Sequence, residues 1–306
     1  RQAVRDSPAP PAISSGRWVA RAPLPLPRTE MAWGGEYRGR VHLVGGYAEQ
    51  RVDRPYHHAY DPAADRWDQL PELPRGANHV GVASSGERLY AFGGFTEQNR
   101  TPHDGAFAFD GERWHTLRRL PEACGAIGCV ALGGVIHLIG GAIGSENRRS
   151  IDWHLVYDPM ADRYTRRQPM PVARDHTGVV AVNDLIHLIG GRVDTFHTNS
   201  NLHHSYDPRT DQSTFRAPIP TARSRHGTVW YQDRIFVIGG EGTNPVYGQN
   251  EAYDPAKDSW EAYAPMLTPR HGMGAVVIDD AVYVAGGGPQ MGGGVKSAIN
   301  EAFSLA

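Results

Sequence analysis

The chain has 306 residues, with 31 Lys and Arg against 33 Asp and Glu. That balance excludes nucleic-acid binding driven by overall positive charge, though not a local basic patch. Apolar residues at 40% support a packed core, 36 glycines and 23 prolines point to many short strands, and two cysteines exclude a disulfide scaffold.

Residues 1–15 (RQAVRDSPAPPAISS) read as a flexible Pro/Ala-rich leader. The chain begins at Arg1, not Met, which favours a processed, extracytoplasmic protein over a cytoplasmic one. From Gly16 onward one pattern recurs. An apolar run ending in Gly-Gly appears six times, with first glycines Gly45, Gly93, Gly140, Gly190, Gly239 and Gly286. A Tyr-Asp-Pro turn and a spaced aromatic follow, as in Tyr60 to Trp67, Tyr157 to Tyr164 and Tyr253 to Trp260, with weaker copies at Phe109 to Trp114 and Tyr206 to Phe215. Cys124 and Cys129 lie roughly 16 Å apart if that stretch is extended, which predicts free thiols. The uncharged stretch from Gly125 to Gly144 repeats a pattern seen elsewhere, so it reads as two buried strands and not as a membrane helix.

Each period offers about four short strands, and four strands repeated radially make a propeller blade. The Gly-Gly pair, the Tyr-Asp turn and the spaced Trp, six times in register, resemble the kelch-repeat family over residues 16–306. The resemblance implies an all-β, six-bladed propeller in one domain. The sixth repeat stops at Asn300 to Ala306, and its missing outer strand stands at the other end, Gly16 to Arg28. The N-terminal strand is therefore expected to complete the last blade, with Trp18 in the sixth Trp position.

The segment before each first strand and the loop after each Gly-Gly should share one mouth of the central channel, where kelch relatives bind ligands. Arg174, Arg223 and Arg270 stand sixteen residues before their Gly-Gly pairs and are expected side by side on blades four to six. His79, His176, His226 and His271 fall close behind, with Asn78, Asp175, Arg225 and, on blade one, Glu30. The loops add Tyr47, Gln50, Arg51, Phe95, Arg148, Arg192 and Glu241. Clustered arginines suit a carboxylate or phosphate, and converging imidazoles suit a single divalent metal held by His79, His176, His226 and His271. The alternative for each residue is blade packing, since buried polar groups are normally satisfied within the fold.

The functional expectation is a stand-alone, monomeric binding propeller for a small polar, anionic ligand, with neither nucleic acid nor membrane as partner. An alternative is an enzyme at the same mouth. His176 or His226 would be its acid/base and the arginines its anion clamps, in sugar-acid mutarotase- or lyase-like chemistry. Sialic-acid mutarotase-like kelch proteins agree in size and architecture, at the level of the fold alone. A protein–protein platform is a third class, for which Tyr47, Phe95 and Tyr247 are the candidate aromatics.

Overall fold

The computed structural model describes residues 15–31, 34–49, 53–98 and 100–305. All of the expected leader except Ser15 lies outside these residues, as do Gln50 and Arg51 of the first mouth loop. The described residues form strands and no helix.

Six antiparallel four-stranded sheets make six blades. Blade five is typical: Gly227–Tyr231 is innermost, then Arg234–Ile238, Asn250–Asp254 and Ser259–Tyr263. The inner strands run along the axis, and each packs against those of the two neighbouring blades, so the ring closes. Glycine begins all six inner strands because neighbours approach so closely there. A Cβ on Gly227 would stand 2.5 Å from the Ala275 side chain of the next blade. The Gly-Gly pair is needed for conformation, with φ of 66° and 110° at Gly239 and Gly240.

The aromatic repeat residues pack into the core and also latch blade to blade. Tyr253 of the Tyr-Asp-Pro turn donates its hydroxyl to Asp258 (2.6 Å), and Asp258 accepts the Ala217 N–H of blade four (2.9 Å). The Trp260 indole donates to the Ala217 carbonyl at 2.9 Å. Equivalent latches join Tyr157 to Asp162 and Tyr206 to Asp211.

The N-terminal strand Arg17–Ala20 pairs antiparallel with Asn300–Ser304, with Trp18 opposite Phe303, and so completes blade six. Trp18 is buried against Phe303, and its indole donates to the Ala264 carbonyl of blade five at 2.8 Å. Trp18→Ala is expected to cost about 3–5 kcal/mol, because a large buried aromatic leaves a cavity and the Ala264 carbonyl keeps only its longer bond from Asn250 Nδ2. A urea titration checks this; an unchanged midpoint contradicts closure through this strand.

Candidate functional site at the channel mouth

In every blade the segment before the inner strand bridges to the loop after Gly-Gly: Thr29 with Tyr47, Asn78 with Phe95, Gly125 with Ala142, Asp175 with Arg192, Ser224 with Glu241, and His271 with Gly288. The shared mouth expected from sequence is therefore present. The next residue of each segment is left-handed: Glu30, His79, Ala126, His176, Arg225 and Gly272, with φ between 52° and 65°. These six residues are linked in a closed circle. Each N–H donates to the carbonyl of its counterpart in the preceding blade, at 3.0 to 3.3 Å, ending with Glu30 N–H to Gly272 O. The circle floors the mouth and caps the channel beneath.

Above this floor lies a buried charged cluster. Arg225 Nη1 sits 3.0 Å from Glu30 and 3.1 Å from Glu241. His79 Nε2 lies 2.9 Å from the second Glu30 oxygen, and His271 Nδ1 lies 3.4 Å from Glu30 and 3.5 Å from Glu241. Asp175 accepts from Ser150 Oγ (2.6 Å), from Arg192 Nε (3.1 Å) and, in a short contact, from His176 Nδ1. The His79 and His176 rings meet edge-on at 4.8 Å.

Burial opposes ionisation of Glu30, but Arg225, the His79 hydrogen bond and His271 outweigh it and hold its pKa well below the usual carboxylate range. Burial pushes His79 down to about 4 despite Glu30. Burial, with Arg192 and Arg225, also takes His176 well below its ordinary value. Both imidazoles are neutral at pH 7. In formal charge, Arg148, Arg192 and Arg225 match Glu30, Asp175 and Glu241. The arginines of the mouth, which the sequence offered as anion-binding groups, are thus matched by carboxylates. The mouth is layered: the three carboxylates are fully buried, whereas half-buried Arg148 covers the Phe95 ring at 3.9 Å and the Arg192 side chain retains 10% exposure.

The three repeat arginines lie elsewhere than expected. Arg174, Arg223 and Arg270 do not form a sector of the mouth. Each is fully buried within its own blade, as is Arg28. Arg223 donates to the Gly239 and Val237 carbonyls and to Glu251 at 2.8 Å. Arg270 donates to the Gly286 and Ile299 carbonyls and pairs with Glu301. Arg174 and Arg28 bond Gly190 and Gly45 in the same way, and end on the Nδ1 atoms of His204 and His58. Blades two and three carry Ala77 and Cys124 at the arginine position, and there the partner position on the third strand is apolar, Phe107 and Leu155. Arginine and polar partner thus come and go together, which marks a scaffold pair.

The four histidines likewise do not share one position. His79 and His176 belong to the floor circle, whereas His271 stands one residue before it. His226 stands one residue after it, below the floor, bonded to Thr228 Oγ1 at 2.8 Å. Among the described residues no group of three or more His, Cys, Asp or Glu side chains is arranged to hold a metal ion. Tyr47 and Phe95, candidate aromatics for a protein platform, are buried beneath the loops. Both cysteines are free. His58, His204, Glu251 and Glu301 went unnoticed as partners in the sequence; each stands on the third strand, second residue, in register with its arginine.

Residues 222–267, which hold the fifth blade, match the Kelch motif. The other five blades repeat its strand order around the axis. This is a kelch-repeat propeller. Within the kelch propeller the Gly-Gly pairs, Tyr-Asp turns, tryptophans and buried arginines are scaffold, and the residues that differ from blade to blade collect above the floor.

Proposed function

We propose that this kelch propeller binds a small polar, anionic ligand at the mouth, over Glu30, Asp175, Arg192, Arg225, Glu241 and His271. The observation that carries the reading is the layering of charge. Guanidinium groups of Arg148 and Arg192 reach nearest to solvent, and carboxylates lie beneath them. An anion meets donors first, and hydroxyl groups on the same molecule find acceptors below. A hydroxycarboxylate such as a sugar acid has that distribution of groups.

The test is a thermal-shift panel of sugar acids, short hydroxycarboxylates and inorganic phosphate. At about 100 times its Kd a ligand stabilises the fold by about 2.7 kcal/mol. Arg148→Ala and Arg192→Ala are each expected to cancel the shift. A shift that survives both substitutions, or a panel with no shift, contradicts the reading.

An enzyme at the same mouth is favoured by one contact, the Asp175 carboxylate on His176 Nδ1. It fixes the tautomer that leaves Nε2 as a base. His176, and not His226, would then be the acid/base, since His226 lies below the floor. Turnover of the panel hit, followed by NMR, should disappear in His176→Gln while binding remains; full turnover in that variant rejects the enzyme reading.

A further inference from the structure

In every blade the residue before the third strand offers its carbonyl to the N–H of the first Gly-Gly glycine. In chain order these residues are Tyr56, Gly105, Trp153, Leu202, Gln249 and Ile299, with bonds of 2.7 to 2.9 Å. Blade two alone has no side chain there, and it also carries Ala77 where four blades have the buried arginine. Blade three lacks the arginine too, but has Trp153. A Cβ on Gly105 would collide with the His103 ring, so that ring stands where the other side chains begin.

Beside Gly105 lies a cavity of about 170 Å³ that shares no residue with the mouth. Its apolar wall is Ala106, Phe107 and Leu117, and its polar wall is Arg75, His103, Asp104, Thr116 and Arg119. Leu117 N–H donates to the Ala106 carbonyl and Leu120 N–H to the Asp104 carbonyl, both at 2.9 Å, so Arg119 stands between two anchored points. Neither the Arg75 nor the Arg119 side chain has an ion pair or hydrogen bond among the described residues. Asp104 offsets one of these two charges, which leaves the wall net positive by one. Burial, then Arg75 and Arg119, hold His103 below its ordinary value against Asp104, so the ring is neutral at pH 7. Its Nδ1 accepts the Gly105 N–H at 3.0 Å, so the ring proton sits on Nε2 as a donor.

We propose that this cavity binds a small monoanionic carboxylate with a short branched hydrocarbon tail. Its oxygens take Arg75, Arg119 and the His103 Nε2–H, and the tail lies on Phe107 and Leu117. The single net positive charge selects a monoanion, the apolar wall asks for a tail, and the volume keeps that tail short.

Titration of the intact protein with isovalerate, followed by NMR, tests this against acetate and isovaleramide. Isovalerate should bind, acetate about tenfold more weakly because it buries no tail, and isovaleramide not measurably because it carries no charge. Arg75→Gln and Arg119→Gln should each weaken isovalerate about tenfold. Both side chains are exposed, so both variants are expected to fold. Asp104→Asn removes the opposing charge and should tighten binding severalfold. Thermal shifts from mouth ligands should be unchanged in Arg75→Gln, so the two sites fail independently. No isovalerate binding at millimolar concentration, binding matched by isovaleramide, or binding indifferent to both arginine substitutions overturns the proposal.

Discussion

Acidification from pH 7 to pH 5 is expected to unfold this propeller without denaturant. Three blades contain a buried histidine pair at the same place: His42 with His57, His137 with His154, and His187 with His203, each with ring nitrogens 2.8 Å apart. In blade four His203 Nδ1–H donates to the Ala217 carbonyl, so its Nε2 must accept from His187. A proton on that acceptor breaks the pair. Burial lowers His42, His137 and His187 to about 4, and lowers His57, His154 and His203, each beside its partner, to about 3. Burial followed by the adjacent guanidinium lowers His58 to about 4 and His204 to about 2. His79 and His226 fall to about 4 and about 3.

These folded-state values lie below the unfolded value of about 6.5. The unfolded chain therefore binds more protons between about pH 6.5 and 4, and stability falls as pH falls through that window. Each such histidine costs about 0.8 kcal/mol at pH 6 and about 2 kcal/mol at pH 5. A few of them exhaust a typical stability of about 5–15 kcal/mol. Calorimetric melting points at half-unit intervals should drop steeply below pH 6.5. A flat profile down to pH 5 contradicts the neutral buried pairs.

Arg223→Ala is expected to destabilise the fold by about 3–5 kcal/mol, because Glu251 is left as an uncompensated buried charge and two carbonyls lose their donor. The chain contains its own repair. Blade two has Ala77 with Phe107 where blade five has Arg223 with Glu251. The double substitution Arg223→Ala/Glu251→Phe should recover more than half of the loss, since an apolar pair replaces the ionic one. Urea titrations of the single and double variants measure the coupling. An Arg223→Ala variant as stable as the wild type would return this arginine to the list of ligand groups.

The fold was legible because blade geometry repeats its demands on residue type. Gly-Gly, Tyr-Asp-Pro and Trp each meet a local requirement, of positive φ, a tight turn or an indole latch, that recurs wherever the blade does. Even the split blade could be read, since Trp18 has no other place in the repeat. The mouth was legible only as a region. The Gly-Gly spacing located the segments but not the direction of their side chains, and neighbouring residues there face inward to the blade, up to the mouth and down to the channel. Arg223, Arg225 and His226 show this within four residues. Blade one carries one extra residue between Glu30 and its Gly-Gly, which obscured the equivalence of Arg28 with Arg223. The covariation of buried arginine with His58, His204, Glu251 or Glu301 was present in the sequence, but finding it required pairing two strands in register.

The most direct measurement of the central claim is a crystal structure with the strongest ligand from the anion panel. The account predicts density above the backbone circle, its acidic group on Arg148 and Arg192 and its remaining oxygens over Glu241 and His271. Density against Arg174, Arg223 or Arg270, or on the outer faces of the blades with an empty mouth, would contradict it.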